Sequence, residues 1–169
     1  MQPKSLANLE CPIAQSLDVI GDRWSLLILR DALDGFTRFD EFEANLGIAP
    51  NTLSRRLAGL VEAGLLDRRQ YSDRPPRQEY VVTDRARELR PVLVALYAWG
   101  VRGQKPGART MVLVDADSGN EIEPVLVDKQ TGRPLAEFTA LFAAGPAAHQ
   151  PIRDRLDPES RAQRRQRNG

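Results

Sequence analysis

Between Leu46 and Leu53 the chain reads LGIAPNTL, and this short stretch limits what the surrounding sequence can fold into. On its N-terminal side, residues 38–46 place Phe39, Phe42 and Leu46 on one helical face. Gly47 follows, where a left-handed residue ends a helix at little steric cost. On its C-terminal side Pro50 stands where a first helical residue belongs. Leu53, Leu57, Leu60 and Val61 then recur at helical spacing as far as Gly64. Two amphipathic helices joined by so few residues can neither merge nor separate. The expected unit is helix, tight turn, helix.

The flanks extend this unit. Ile13, Leu17, Ile20, Trp24, Leu27, Ile28 and Leu33 are spaced by three and four, which predicts helix over 12–33. Gly21 followed by Asp22 divides that stretch in two, since glycine weakens a helix and aspartate caps the next one. After Gly64 the pattern becomes LLDRRQY, SDRPP, RQEYVVT, the signature of a β-hairpin with an exposed tip. Thr83 or Asp84 can cap a last helix carrying Leu89, Val92, Leu93, Leu96, Tyr97 and Trp99, with a break expected at 87–91 because Pro91 removes a backbone donor. The fold class is therefore mainly α with a small β wing: a winged helix-turn-helix domain followed by a small β-hairpin C-terminal extension.

Function hinges on the second helix of the motif. With Leu53, Leu57 and Leu60 inward, Asn51, Arg55, Ala58 and Glu62 point outward, flanked by Thr52, Arg56 and Gly59. Asn51 and Arg55 can form paired hydrogen bonds with adenine and guanine edges, and the small Ala58 and Gly59 permit close approach to a groove. Arg68, Arg69, Arg74 and Arg77 add charge in and around the hairpin. The net charge is only +1, so contact with double-stranded DNA must come from this local gathering of arginines. The candidate DNA-binding residues are Asn51, Thr52, Ser54, Arg55, Arg56, Arg68, Arg74 and Arg77.

The sequence resembles the HxlR-type family of winged-helix regulators. The resemblance rests on CPIA at 11–14, GDRWSLLILRDAL at 21–33, RFDEFEANLGI at 38–48, NTLSRRLAGLVEAGLLDRRQY at 51–71, PPRQEYVVT at 75–83 and LRPVLVALYAWG at 89–100. It implies a transcriptional repressor with a recognition helix at about 50–63 and a wing tip near 72–77. It also implies a homodimer built from the N-terminal and last helices. The apolar excess of Ile13, Leu17, Leu93, Leu96, Tyr97 and Trp99 suits that interface. Two residues depart from the family pattern: Ala49 replaces a serine-like cap and Ala86 replaces a glycine.

Cys11 has two readings, a small hydrophobe packing the first helix or a sensor of oxidants, so a small-molecule or redox effector joins DNA among the expected partners. Beyond residue 103, MVLVDADSG is echoed thirteen residues later by PVLVDKQTG, two strand-then-turn units. Longer relatives carry thiolate knuckles at these places. With one cysteine and one histidine the chain cannot supply tetrahedral zinc, and Asp115 and Asp117 lie out of register for a calcium loop. No metal or cofactor is expected.

The only histidine, His149, lies in the C-terminal stretch, and no glycine-rich phosphate loop follows a strand. An enzyme and a winged-helix protein-interaction module without DNA binding are the two alternatives. The N-terminus lacks the basic and apolar regions of a signal peptide, and apolar runs fall short of the ~20 residues that span a bilayer, which suggests a cytoplasmic protein without a membrane partner. The expected division is 1–103 for DNA binding and dimerisation, 104–145 for the extension with a short helix over 135–144, and 146–169 as a disordered arginine-rich tail.

Overall fold

The cap expected at Asp22 is present: its carboxylate accepts the backbone N–H groups of Trp24 and Ser25 at 3.0 and 3.2 Å, and it divides α1 (Pro12–Ile20) from α2 (Arg23–Leu33). The computed structural model describes residues 5–167. Helix α3 (Phe39–Leu46) ends at Gly47, whose φ of 58° is left-handed, and α4 (Pro50–Glu62) begins three residues later. Strands β1 (Leu66–Asp73) and β2 (Pro76–Val82) form the antiparallel wing. The last helix is split as Pro91 predicts, into α5 (Asp84–Arg87) and α6 (Arg90–Gly100). Thr83 caps α5 by accepting the N–H of Ala86.

The chain divides into two units, Val19–Leu126 and a second made of the segments up to Asp18 and from Val127. In the first, Ile28, Leu29, Phe42, Leu53 and Leu57 are wholly buried, with Leu60, Leu65 and Leu66 beside them. These residues come from α2, α3, α4 and the start of the wing. Ala86, in place of the family's glycine, is also fully buried, so its methyl group is accommodated. Asp31 is the charged group of this interior. One carboxylate oxygen receives Arg30 Nε and Nη2 at 2.8 and 2.6 Å, and the other receives Asn45 Nδ2 at 2.7 Å, tying α2 to α3. A buried carboxylate so fully satisfied avoids the penalty of an unpaired one.

The extension differs from expectation. Each repeat makes one isolated bridge, Val114 with Glu121 and Val127 with Pro134, instead of paired strands. Both close on an aspartate. Asp115 accepts the N–H of Asp117 at 2.8 Å, and Asp128 accepts the Thr131 hydroxyl and N–H at 2.7 and 2.9 Å; these bonds hold each carboxyl below its ordinary pKa. Gly119 and Gly132 follow at φ 71° and 68°. The expected boundary at 103 also moves, because the first repeat stays in the Val19–Leu126 unit. There Tyr97 Oη accepts the N–H of Leu113 at 3.2 Å.

Two further expectations are corrected. In place of a helix over 135–144 there is a single 3-10 turn, Leu135–Glu137; Phe138 is already extended, with the Arg133 guanidinium 4.6 Å over its ring. The stretch expected to be disordered carries α7 (Gln150–Leu156) and α8 (Pro158–Gln166). Apolar burial was the wrong criterion there. Arg153 Nε donates to the Ala148 carbonyl at 2.9 Å, Asp157 accepts the Ser160 N–H at 2.8 Å, and α8 is rich in arginine and glutamine, which favour helix locally.

The N-terminus of α4 lacks a side-chain cap, since its N-cap residue is Ala49, with extended φ and ψ of −62° and 135°. A serine fits that backbone. Ala49→Ser is expected to stabilise the protein by about 1 kcal/mol, read as a raised denaturant midpoint with an unchanged slope. An unchanged midpoint would show that the open N–H groups already have adequate partners in water.

Candidate nucleic-acid interface

The recognition surface is assembled from α4 and the wing, both within Val19–Leu126. On α4, Leu53, Leu57 and Leu60 are buried, so Asn51, Ser54, Arg55, Ala58, Gly59 and Glu62 are left exposed on the other side. The predicted outer face is thus the observed one. Thr52 and Arg56 are half-buried flanks. Arg55 makes no ion pair among the described residues, whereas Arg56 Nε lies 3.0 Å from Asp22 Oδ1. Arg56 therefore turns back toward the N-terminus of α2.

Asp22 carries more than the sequence indicated. It caps α2, accepts the Ser25 hydroxyl and pairs with Arg56. The cap was legible from its place after Gly21. The second partner required the packing of α4 beside α2, which local spacing does not encode.

In the wing, Arg68, Arg74 and Arg77 are exposed and without a carboxylate partner among the described residues; Arg69 is spent on Asp67 at 3.5 Å. Alternation along β1 puts Arg68 on the same face as Leu66, the side that packs on the helices, while Arg74 stands in the turn between the strands. The register slips between Gln70 and Ser72, so Tyr71 is an extra residue in β1. Its ring lies 4.9 Å beneath the Arg38 guanidinium. Arg38 is a basic residue that the sequence reading left out of the site. Its backbone bridges to Glu79, and Thr37 accepts the Tyr80 N–H at 2.7 Å, so the residue preceding α3 acts as a third, one-residue strand beside β2. Nothing in the spacing of 37–39 signals that pairing.

Glu41 secures the same corner. Its carboxylate accepts the N–H groups of Thr37 and Arg38, both at 2.9 Å, and these bonds lower its pKa below the usual 4.5. The stabilisation is therefore complete above that value and is lost as pH falls through the lowered one.

The expected interface residues fall into two groups. Leu96 and Trp99 are exposed on α6, at 46% and 72%, and Ile13 and Leu17 are exposed on α1. Leu93 and Tyr97 are half-buried within their own unit instead. Cys11 is half-buried just ahead of α1. No helix among the described residues is long and apolar enough to cross a membrane.

Comparison with known proteins agrees with this architecture. The sequence model of the HxlR-like helix-turn-helix family matches residues 19–107. An uncharacterised HTH-type transcriptional regulator of Mycobacterium tuberculosis is 37% identical over 135 residues, covering 79% of this chain and 85% of that protein. Among solved structures, a candidate transcription factor from Pseudomonas aeruginosa is 48% identical with a TM-score of 0.62, covering 86% of this chain and all of that one. The redox regulator HypR in its reduced form is 32% identical with a TM-score of 0.51, over 55% of this chain and 95% of its own.

The Asp22 and Arg56 contact can be weighed directly. Asp22→Ala should cost about 1 kcal/mol through the lost cap, and a double-mutant cycle with Arg56→Ala should leave a coupling of about 0.2–1 kcal/mol for the half-buried pair. Strictly additive effects in urea unfolding would show that the pair does not fix α4 on α2.

Proposed function

We propose, from the premise that the chain belongs to the HxlR-like helix-turn-helix family of DNA-binding transcriptional regulators, that it represses transcription as a homodimer on a two-fold operator. The observation that carries this reading is the exposed face of α4, where Asn51 and Arg55 stand over a fully buried leucine ridge. Asn51 and Arg55 are assigned to base edges in the major groove. Thr52, Ser54 and Arg56 are assigned to the flanking phosphates, with Arg56 oriented by Asp22. Arg68, Arg74 and Arg77 supply the wing contacts to phosphate or a narrow minor groove. Repression is the role implied by the family resemblance.

The homodimer is assigned to the exposed apolar residues of the two helices, Ile13 and Leu17 on α1 and Leu96 and Trp99 on α6, which monomers seldom leave uncovered. Leu93 and Tyr97, half-buried on α6, are assigned to the same interface. Light scattering at micromolar concentration should report a dimer; a monomer at working salt would remove the two-fold operator as well. Functionally, residues 1–103 are kept as the DNA-binding and dimerising part and 104–145 as an extension.

Cys11 is assigned a packing role, with redox sensing as a second reading favoured by the similarity to a redox regulator. If oxidants weaken DNA binding by the native protein and by Cys11→Ser equally, the packing role alone stands.

The DNA reading separates two arginines by the contacts open to them. Arg55→Ala should cost about 1–3 kcal/mol and relax preference at one base pair per half-site. Arg74→Ala should weaken binding to most sequences alike and lower the salt slope by about one per subunit. Titrating both variants against single-base operator changes at two salt concentrations distinguishes these outcomes. The reverse pattern would mean that helix and wing are placed wrongly, and salt-insensitive or absent DNA binding would favour a protein-interaction module.

A further inference from the structure

Between α2, α6 and the first strand-like segment of the extension lies an open pocket of about 690 Å³ within the Val19–Leu126 unit. Its wall is apolar, formed by Leu26 of α2, Leu93 and Val94 of α6, and Val112. The size lies in the range of pockets that hold small organic ligands. The pocket depends on the extension: Tyr97, which lines it, accepts the N–H of Leu113 and thereby holds residues 111–113 against the end of α6.

The charged groups at this pocket are unequally matched. Arg23, Arg30 and Arg90 line it, and Asp34 is the one acid among its lining residues. Arg30 is already bonded to Asp31, but Arg23 and Arg90 are exposed and have no carboxylate partner among the described residues. An apolar cavity with surplus guanidinium charge at its mouth matches an amphipathic organic anion. Leu93, Leu96 and Tyr97, assigned above to the homodimer interface, also line it; a second copy of α6 seated on the pocket itself would bring another arginine and no carboxylate to Arg23 and Arg90.

We propose that this pocket binds an apolar carboxylic acid as an effector, its hydrocarbon part against Leu26, Leu93, Val94 and Val112 and its carboxylate on Arg90 and Arg23. The proposal rests on the reading of the protein as a DNA-binding regulator. The occupied pocket would bear on DNA through α2, because the helix that forms its floor is also paired with α4 through Asp22 and Arg56. No covalent step is involved.

Calorimetric titration of the full chain with decanoate and with naphthoate, each compared with its neutral amide, tests the proposal. The acids should bind one per subunit and at least about tenfold more tightly than the amides, as expected for a charge-assisted contact. Arg90→Gln should remove most of that preference while leaving amide binding unchanged. Val112→Trp, a filling change at a half-exposed position away from the core, should abolish binding of both; Val94→Phe serves as a second filling change should circular dichroism show Val112→Trp to be misfolded. Equal binding of acid and amide, or unimpaired binding to both filled variants, would overturn the proposal. So would probe binding only to dissociated subunits, which would make the pocket a seat for a second copy. Operator affinity of the unliganded protein is measured in parallel: its absence refutes the regulatory reading, whereas intact operator binding without probe binding refutes only the ligand.

Discussion

The seat of α4 is the constraint on which the rest of the molecule depends. A helix of 13 residues is marginal alone in water, and this one begins at an alanine without a side-chain cap. Its position is set by Leu53, Leu57 and Leu60, all buried against a core that includes Phe42, Ile28 and Leu29. Each such side chain contributes on the order of 1.5–3 kcal/mol by leaving water. Because that ridge fixes both the axis and the rotation of α4, the opposite face is free to be chosen for contact rather than for stability. Asn51, Ser54 and Arg55 can be exposed and polar at no cost to the core.

Charge follows a similar division. Near-neutral overall, the chain commits several of its acids to arginine partners: Asp31 to Arg30, Asp22 to Arg56, Asp67 to Arg69, Asp84 to Arg87, Glu121 to Arg109 and Glu137 to Arg133. Exposed pairs of this kind contribute little to stability. Their larger effect is on the distribution of potential, because Arg55, Arg68, Arg74 and Arg77 have no such partner among the described residues. Long-range attraction of a polyanion depends on that local excess and not on a net charge of +1.

Most of the unit Val19–Leu126 was legible in the sequence because its signals are local. Gly47 and Pro50 punctuate the motif, Asp22 and Thr83 are caps, and Pro91 breaks the last helix where its missing donor requires. What was missed depends on residues distant in sequence. Arg38 enters the wing only because Thr37 and Arg38 pair with β2 some forty residues later. The placement of the first repeat follows from a hydrogen bond between Leu113 and Tyr97, two residues with no spacing relation. The error over α7 and α8 has another origin. A rule about burying apolar area was applied to segments whose helicity comes from capping and propensity, so a true premise about composition gave a false conclusion about structure.

Helix α2 touches the core on one side and the pocket on the other. Its buried side presents Ser25, Ile28, Leu29 and Ala32 to the core, with Asp31 fastened to Asn45 of α3 and the capping Asp22 paired with Arg56 of α4. Its opposite side, through Arg23, Leu26 and Arg30, forms one wall of the pocket shared with α6. Close-packed interiors transmit displacement poorly by compression and well by rigid movement of whole elements. A helix with a carboxylate at each end, Asp31 hydrogen-bonded to Asn45 of α3 and Asp22 ion-paired with Arg56 of α4, has less freedom to shift alone. A displacement of α2 that changes the pocket therefore either disrupts one of those contacts or carries α3 and α4 with it, and the second course moves the surface on which Asn51 and Arg55 stand.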